Sequence, residues 1–248
     1  MFEIEIDFKR EAGFCNEHGH FENLGAFVGD RIIWSGCTLC VSKEIEEENK
    51  AIAVEAERLM NKRLYDEAAF PKRYENKNLE NFFVENKGQM NALGTALLYG
   101  KKSKEKLSNG SGLLFYGACG TGKTHLAIGI GKKFLEANLS VMYVRASALI
   151  REVKETWSKT SKVKEGEVYA KYSAPDLLIV DEIGRQFGTD SEKMILFEII
   201  NERYEQMKPI IAITNLDGVN LSEYIGVAAL DRLKENGESI CFDWSSYR

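Results

Sequence analysis

From residue 112 to the end of the chain, short apolar runs are separated by longer stretches with helical spacing. Residues 112–116, 141–145, 177–182, 209–214 and 238–244 are the short runs, and they predict five strands. Their apolar positions are mostly consecutive, the pattern of strands covered on both faces in a parallel sheet. Residues 125–135 follow the first run in helical rhythm, and residues 148–172 are longer than a plain helical connection needs. Upstream, residues 2–8 alternate apolar and acidic like a strand, and Arg31-Ile32-Ile33-Trp34 is a second short strand candidate. Residues 42–66 are highly charged, with apolar positions at Ile45, Ile52, Val54, Leu59, Met60 and Leu64. Ser42 as a cap, acids in the first turn and Lys62-Arg63 near the end predict a helix there. The expected architecture is α/β: a parallel five-stranded sheet flanked by helices over residues 76–248, a helical linker or partner-docking segment over 43–75, and a small module over 1–42.

Composition narrows the class. In 248 residues, a hydrophobic content of 44% and only three prolines indicate a folded chain. No apolar run reaches membrane-spanning length, and the acidic start is unlike a signal peptide. A cytoplasmic protein with no membrane partner is expected. The net charge of −5 speaks against a strongly basic DNA-coating protein, while leaving room for a local nucleic-acid contact.

The first candidate chemistry lies directly after the strand at 112–116. Gly117-Ala118-Cys119-Gly120-Thr121-Gly122-Lys123-Thr124 fits the spacing G-x-x-x-x-G-K-[ST], between a strand and a helix that opens with His125. Glycines let backbone N–H groups turn inward around a triphosphate, and the helix N-terminus adds favourable potential. Lys123 is expected to reach the β- and γ-phosphates of ATP, and Thr124 to ligate Mg²⁺. The run at 177–182 ends in Asp181-Glu182, acids delivered to a strand tip, where ligands of open α/β sheets bind. Asp181 is the candidate for holding Mg²⁺ and Glu182 for polarising an attacking water. Asn215, at the tip of the strand 209–214, could touch the γ-phosphate, although alone it reads as a turn residue.

A second site is expected near the N-terminus. Cys15-Asn16-Glu17-His18 and Cys37-Thr38-Leu39-Cys40 form two close pairs, eighteen residues apart, each beside a glycine. Such pairs assemble tetrahedral Zn²⁺ sites. Disulfides are the alternative, disfavoured in the cytosol, and His20 is a less favoured substitute for His18. Cys119 sits within the glycine loop, and Cys241 is expected to be a buried core thiol. Within residues 148–172, Arg151, Lys154, Lys159, Lys162, Lys164 and Lys171 are interleaved with Trp157, Tyr169 and Tyr172. Cations and aromatic platforms suit single-stranded nucleic acid, while the interspersed acids equally suit a solvated helical hairpin.

Together these residues resemble the AAA+ ATPases, and more narrowly the helicase loaders of the DnaC type. The resemblance rests on Phe70-Pro71-Lys72-Arg73-Tyr74 with Leu79-Glu80-Asn81-Phe82, Lys87-Gly88-Gln89-Met90-Asn91-Ala92-Leu93, Val180-Asp181-Glu182-Ile183-Gly184, Asp231-Arg232-Leu233 and Trp244-Ser245-Ser246-Tyr247-Arg248. It covers about residue 70 to the end. It implies that Asn215 is sensor 1, Arg232 an arginine finger serving a neighbouring subunit, and Arg248 sensor 2. It also implies an AAA+ (ASCE) core without a C-terminal lid, self-assembly through the ATPase interface, and partnership with a hexameric, DnaB-like replicative helicase and single-stranded DNA. In such loaders the amino-terminal domain holds the helicase. Val227-Ala228 depart from the more polar pair expected before the finger motif. Two other functions share these motifs: a transposition helper ATPase of the IstB type, and an adaptor switched by ATP binding alone. The stretch from Gly88 to Leu93 favours the loader, and Glu182 favours turnover.

Overall fold

A computed structural model describes residues 8–185 and 188–247, and the chain divides into two compact units, residues 1–60 and 61–248.

In the first unit, β1 (Phe8–Cys15), β2 (Gly19–Val28) and β3 (Arg31–Trp34) form an antiparallel meander. Cys15 pairs with Gly19 across the first turn, and Gly25 pairs with Trp34 across the second hairpin. The strand expected over residues 2–8 lies outside the described residues except at Phe8, where β1 begins. Ile32 and Trp34 crowd the Cβ position that Gly25 leaves empty. Gly25 and Cys37 are the only buried residues described before residue 61. α1 (Thr38–Glu67) begins four residues earlier than the charge pattern suggests. Ser42 is not its cap: its hydroxyl donates to the Thr38 carbonyl at 2.7 Å, inside the helix, and the first turn carries no acid. Cys37 starts the helix instead, its carbonyl accepting the first turn's bond from the Val41 N–H at 3.0 Å.

The second unit is an α/β layer structure. After a 3₁₀ turn at Lys72–Tyr74 come α2 (Lys87–Lys101), α3 (Ser103–Ser108), β4 (Leu113–Gly117), α4 (Lys123–Glu136), β5 (Val141–Arg145), α5 (Ala146–Thr156) and α6 (Glu165–Ser173). The chain continues through β6 (Leu177–Ile183), α7 (Asp190–Glu205), β7 (Ile210–Thr214), α8 (Gly218–Ile225), α9 (Val227–Glu235) and β8 (Glu238–Phe242). All five strands are parallel, in the order β5-β6-β7-β4-β8. Gln89, within the stretch 87–93, has a local structural job. It closes a capping box at the start of α2, its N–H donating to Asn86 Oδ1 at 2.9 Å while its own Oε1 accepts the Asn86 N–H at 3.0 Å.

Side chains alternate across a strand, so each central strand feeds two cores. Leu113, Phe115, Leu177, Ile179, Ile211 and Ile213 point to one side with Leu126, Ile130 and Phe134 of α4. Leu114, Leu178, Val180, Ile210 and Ala212 point to the other, against Leu149, Ile195, Ile199 and Leu233. Arg203 of α7 is fully buried and has no carboxylate partner among its hydrogen bonds. Its guanidinium donates to the carbonyls of Tyr172, Ser173, Pro175, Asp176 and Pro209 at 2.8–3.3 Å, binding the end of α6 to the start of β7. Burial pulls its pKa down to about 9. Cys241 departs from expectation. β8 is an edge strand, and Cys241 lies on its exposed side while Phe242 turns inward.

Candidate functional site: a nucleotide cleft and a separate thiol–imidazole cluster

The loop after β4 has the backbone its sequence demands. Gly117, Gly120 and Gly122 take φ of 125°, 78° and 95°, the region where a side chain is strained. At Gly117 a Cβ would also strike the Phe242 carbonyl. Lys123 opens α4, is almost fully buried, and donates from Nζ to the Gly117 carbonyl at 2.8 Å and the Ala118 carbonyl at 2.6 Å. Burial lowers its pKa, so an anion entering the loop meets an ammonium poorly solvated by water.

β6 brings its acids to the same place. The Asp181 carboxylate accepts three bonds: the Thr124 hydroxyl at 2.9 Å and the Tyr143 hydroxyl at 2.9 Å on Oδ2, and the Glu182 N–H at 2.7 Å on Oδ1. Burial nevertheless raises its pKa, outweighing those donors; a cation beside it would restore the carboxylate. The Thr124 hydroxyl and Asp181 are thus already adjacent, the pair that would hold Mg²⁺. Glu182 sits at φ 60° beside a register irregularity between β6 and β7. The left-handed turn aims its side chain away from the strand's alternation and into the cleft. Arg185 Nη1 donates to Glu182 Oε1 at 2.7 Å.

The cleft measures about 540 Å³. Cys119, Gly120, Thr121, Gly122, Lys123, Thr124, His125, Asp181, Glu182 and Asn215 all line it, while Gly117 and Ala118 lie behind. His125 holds the wall: its Nε2 lies 2.8 Å from the Asn78 carbonyl and 2.9 Å from Asn81 Oδ1, and burial lowers its pKa. Asn215 reaches the cleft because β7 lies between β4 and β6. Arg232 does not reach it. Its guanidinium carbon lies 4.6 Å from the Phe197 ring centroid and 5.8 Å from that of Tyr204, on the α7–α9 side. Arg248 lies outside the described residues.

Sequence reasoning missed several wall residues: Arg73, Tyr74, Lys77, Tyr143, Arg145 and Arg185. The parallel register sets Arg145 opposite Asp181, which no one-dimensional motif reveals. With Lys123 these cations outnumber the two acids, which suits a polyphosphate.

The second cluster lies wholly within the first unit. The ligand atoms of Cys15, His18, Cys37 and Cys40 all fall within 4.8 Å of one another. His18 Nδ1 is 3.6 Å from Cys15 Sγ, 3.6 Å from Cys37 Sγ and 3.3 Å from Cys40 Sγ, and the Cys15 and Cys40 sulfurs are 3.5 Å apart. A tetrahedron with Zn–S of about 2.3 Å and Zn–N of about 2.0 Å has edges of about 3.5–3.8 Å, so the donor set fits Zn²⁺. Cys15 and His18 flank the β1–β2 turn, while Cys37 and Cys40 sit at the N-terminus of α1 and not on a bend. Asn23 Oδ1 accepts the Gly36 N–H at 2.9 Å and fixes that corner. Backbone N–H groups of Glu17 and His18 bring the Cys15 thiol down to about 6, while its bond to Cys15 pushes Cys40 up to about 12. One thiolate forms readily and the next does not, a crowding that a divalent cation relieves. His20 is outside the cluster, edge-on to Phe14.

The basic segment resolves into α5, α6 and their connection. Lys171 pairs with Glu152 at 2.6 Å, Tyr172 is buried and donates to Glu152 at 2.5 Å, and Lys154 pairs with Glu192 at 3.1 Å. Trp157, Lys159, Lys162 and Lys164 are exposed, as are the ion-paired Lys171 and Arg151, the latter 3.9 Å from Glu155.

A glycine loop on one strand, an acid pair two strands away and helices on both faces of a parallel sheet define an ATP-binding protein of the AAA+ class. The chain belongs to the IstB-like ATP binding protein family, whose profile matches residues 51–248. It is 31% identical over 208 residues to "Replicative helicase loader DnaC" of Buchnera aphidicola subsp. Schizaphis graminum, covering 84% of this chain and 80% of the relative. The protein of that name from Escherichia coli strain K12 shows the same identity and coverage. Among solved structures, the DnaC helicase loader superposes with a TM-score of 0.61 at 24% identity, over 69% of this chain and 99% of that one. DnaI gives 0.60 at 18% identity, over 73% and 95%. At these identities the structures speak for the fold.

Proposed function

We propose that this protein is an ATP-dependent loader that binds a hexameric replicative helicase and helps place it on single-stranded DNA in the cytoplasm. The observation that carries the reading is the span of the relatives named as helicase loaders, 84% of this chain at 31% identity, and it is supported by Lys123, Thr124, Asp181, Glu182 and Asn215 lining one cleft. In this reading Lys123 and the loop N–H groups bind the phosphates. Thr124 and Asp181 would hold Mg²⁺, which would neutralise phosphate charge there. Glu182 accepts the proton of the attacking water, and Asn215 orients that water. Arg248 is assigned to the same nucleotide as sensor 2. Cys15, His18, Cys37 and Cys40 hold a structural Zn²⁺, since four protein ligands leave no open position. The zinc-bearing module and α1 are assigned to helicase docking, and Trp157 with Lys159, Lys162 and Lys164 to the DNA strand.

The direct test is co-purification with the cognate helicase, followed by loading of that helicase onto single-stranded circles with and without ATP. Capture and ATP-dependent loading are expected. The family is described as IstB-like ATP binding protein, and one other reading shares these motifs, the IstB-type helper of transposition. Failure to bind the helicase, together with ATP-dependent binding to a transposase, would replace the loader by it.

Arg232 is assigned to the neighbour's nucleotide. Its distance from its own cleft and its position on α9 support this, and such fingers contribute roughly 10³–10⁵ in rate. Arg232→Ala should bind ATP but not hydrolyse it. Mixed with Lys123→Ala it should regain part of the activity, because that pairing creates one intact interface. A mixture as inactive as either parent, with assembly intact, would refute a shared site.

A further inference from the structure

We propose that the C-terminal segment 244–247 is a clasp that positions the P-loop, with Trp244 as its principal positioning residue. This rests on the assignment of the loop as the ATP site. A trans peptide plane carries its C=O and the following N–H on opposite sides. A loop that turns N–H groups towards phosphate must therefore turn carbonyls away from it, and buried carbonyls need donors. Two of those donors come from the far end of the chain. The indole Nε1–H of Trp244 donates to the Thr121 carbonyl at 3.0 Å, and the Tyr247 N–H donates to the Gly120 carbonyl at 3.1 Å. Holding these carbonyls outward turns the N–H groups of Gly122 and Thr121 to the cleft side.

The clasp is itself held. Trp244 is 8% exposed, its ring 4.8 Å from that of Phe242 and close against the Cβ-less face of Gly88. The Tyr247 hydroxyl donates to the Phe83 carbonyl at 2.7 Å. Phe82 meets the Tyr247 ring at 5.9 Å and presses on Gly122, where a Cβ would collide. The Ala118 N–H donates to the Phe242 carbonyl at 3.1 Å, a third tie from the same end of the chain. Trp244 thus acts on the nucleotide through the loop backbone, while Tyr247 both ties the loop and lines the cleft.

Trp244→Phe keeps an aromatic ring, removes the donor and gives up one ring of the indole. In full-length protein, calorimetric titration with ATP should show Kd raised about three- to tenfold, the weight of one neutral hydrogen bond. Turnover at saturating ATP should stay within about twofold. Amide exchange should accelerate in the peptide covering 117–124 and stay unchanged in 177–183, a local pattern that general destabilisation does not produce. Unchanged Kd and unchanged loop exchange would overturn the clasp. ATP binding by the parent and its loss in Lys123→Ala test the ATP site separately. Should Trp244→Phe fail to fold, Trp34→Phe with Trp157→Phe leaves Trp244 as the single indole. ATP should then change its emission with the Kd that calorimetry gives for that same variant, and binding without any change of emission would overturn the proposal.

Discussion

The two units reach a folded state by different means. The second unit lays a parallel sheet between two apolar layers, and its central strands are covered on both faces. The first unit buries only Gly25 and Cys37 among its described residues, and leaves Phe14, Phe27, Val28 and Ile33 more than half exposed. A three-stranded meander with so little buried cannot remove enough apolar surface from water to offset its chain entropy. What it has instead is four soft ligands within 4.8 Å. Burial organises one unit, and the other carries a donor set that could hold a metal.

Metal removal separates them most sharply. Structural zinc contributes on the order of 10 kcal/mol in small modules. Chelation, or Cys37→Ser with Cys40→Ser, should unfold residues 8–60 while ATP binding persists. Metal analysis should find about one Zn per chain before and none after. Retained amide protection in β1–β3 without metal would erase the contrast.

The converse change strikes only the sheet. Arg203→Ala removes a donor from five carbonyls, of which those of Ser173 and Pro209 keep Lys208 Nζ and the Leu178 N–H, and should lower the second unit's stability by about 3 kcal/mol or more. Denaturant unfolding followed at Tyr and Trp should show it, with zinc content unchanged.

Glu182→Gln probes chemistry with both units intact. ATP should still bind, and hydrolysis should slow at least about tenfold, a floor below the roughly 10²–10⁴ that general acid–base catalysis contributes. Hydrolysis at the parental rate would remove Glu182 from that role.

The smallest effect concerns His125. Burial depresses its folded pKa, so the native state prefers the neutral ring. Stability from this group is fully present above the ordinary histidine value of about 6.5. It declines as pH falls below that value towards the depressed folded value. His125→Gln should flatten this part of the stability–pH curve, measured by thermal melting between about pH 5 and 8.

Much of the nucleotide cleft was legible in one dimension because its parts are local. Lys123, Thr124 and the three glycines of the loop lie within eight residues, and each strand tip announces itself by an apolar run ending in polar residues. The thiol–imidazole cluster was legible for the same reason, as two pairs each spanning one turn. The start of α1 was not: Ser42 looked like a cap, but the helix grows from the Cys37 corner that Asn23 fixes from another strand. Cys241 was misplaced because burial of an apolar run depends on whether the strand ends up at the edge of its sheet.

The local sequence determined which backbone could wrap an anion and which side chains could hold a metal, since both properties belong to a few consecutive residues. The tertiary structure alone decided that Tyr143 bonds Asp181, that Arg145 stands opposite it, that Arg232 lies on Phe197, and that Trp244 reaches back 123 residues to Thr121. Those contacts follow from the strand order β5-β6-β7-β4-β8. That order is set by the summed burial of two core layers, and no single segment carries it.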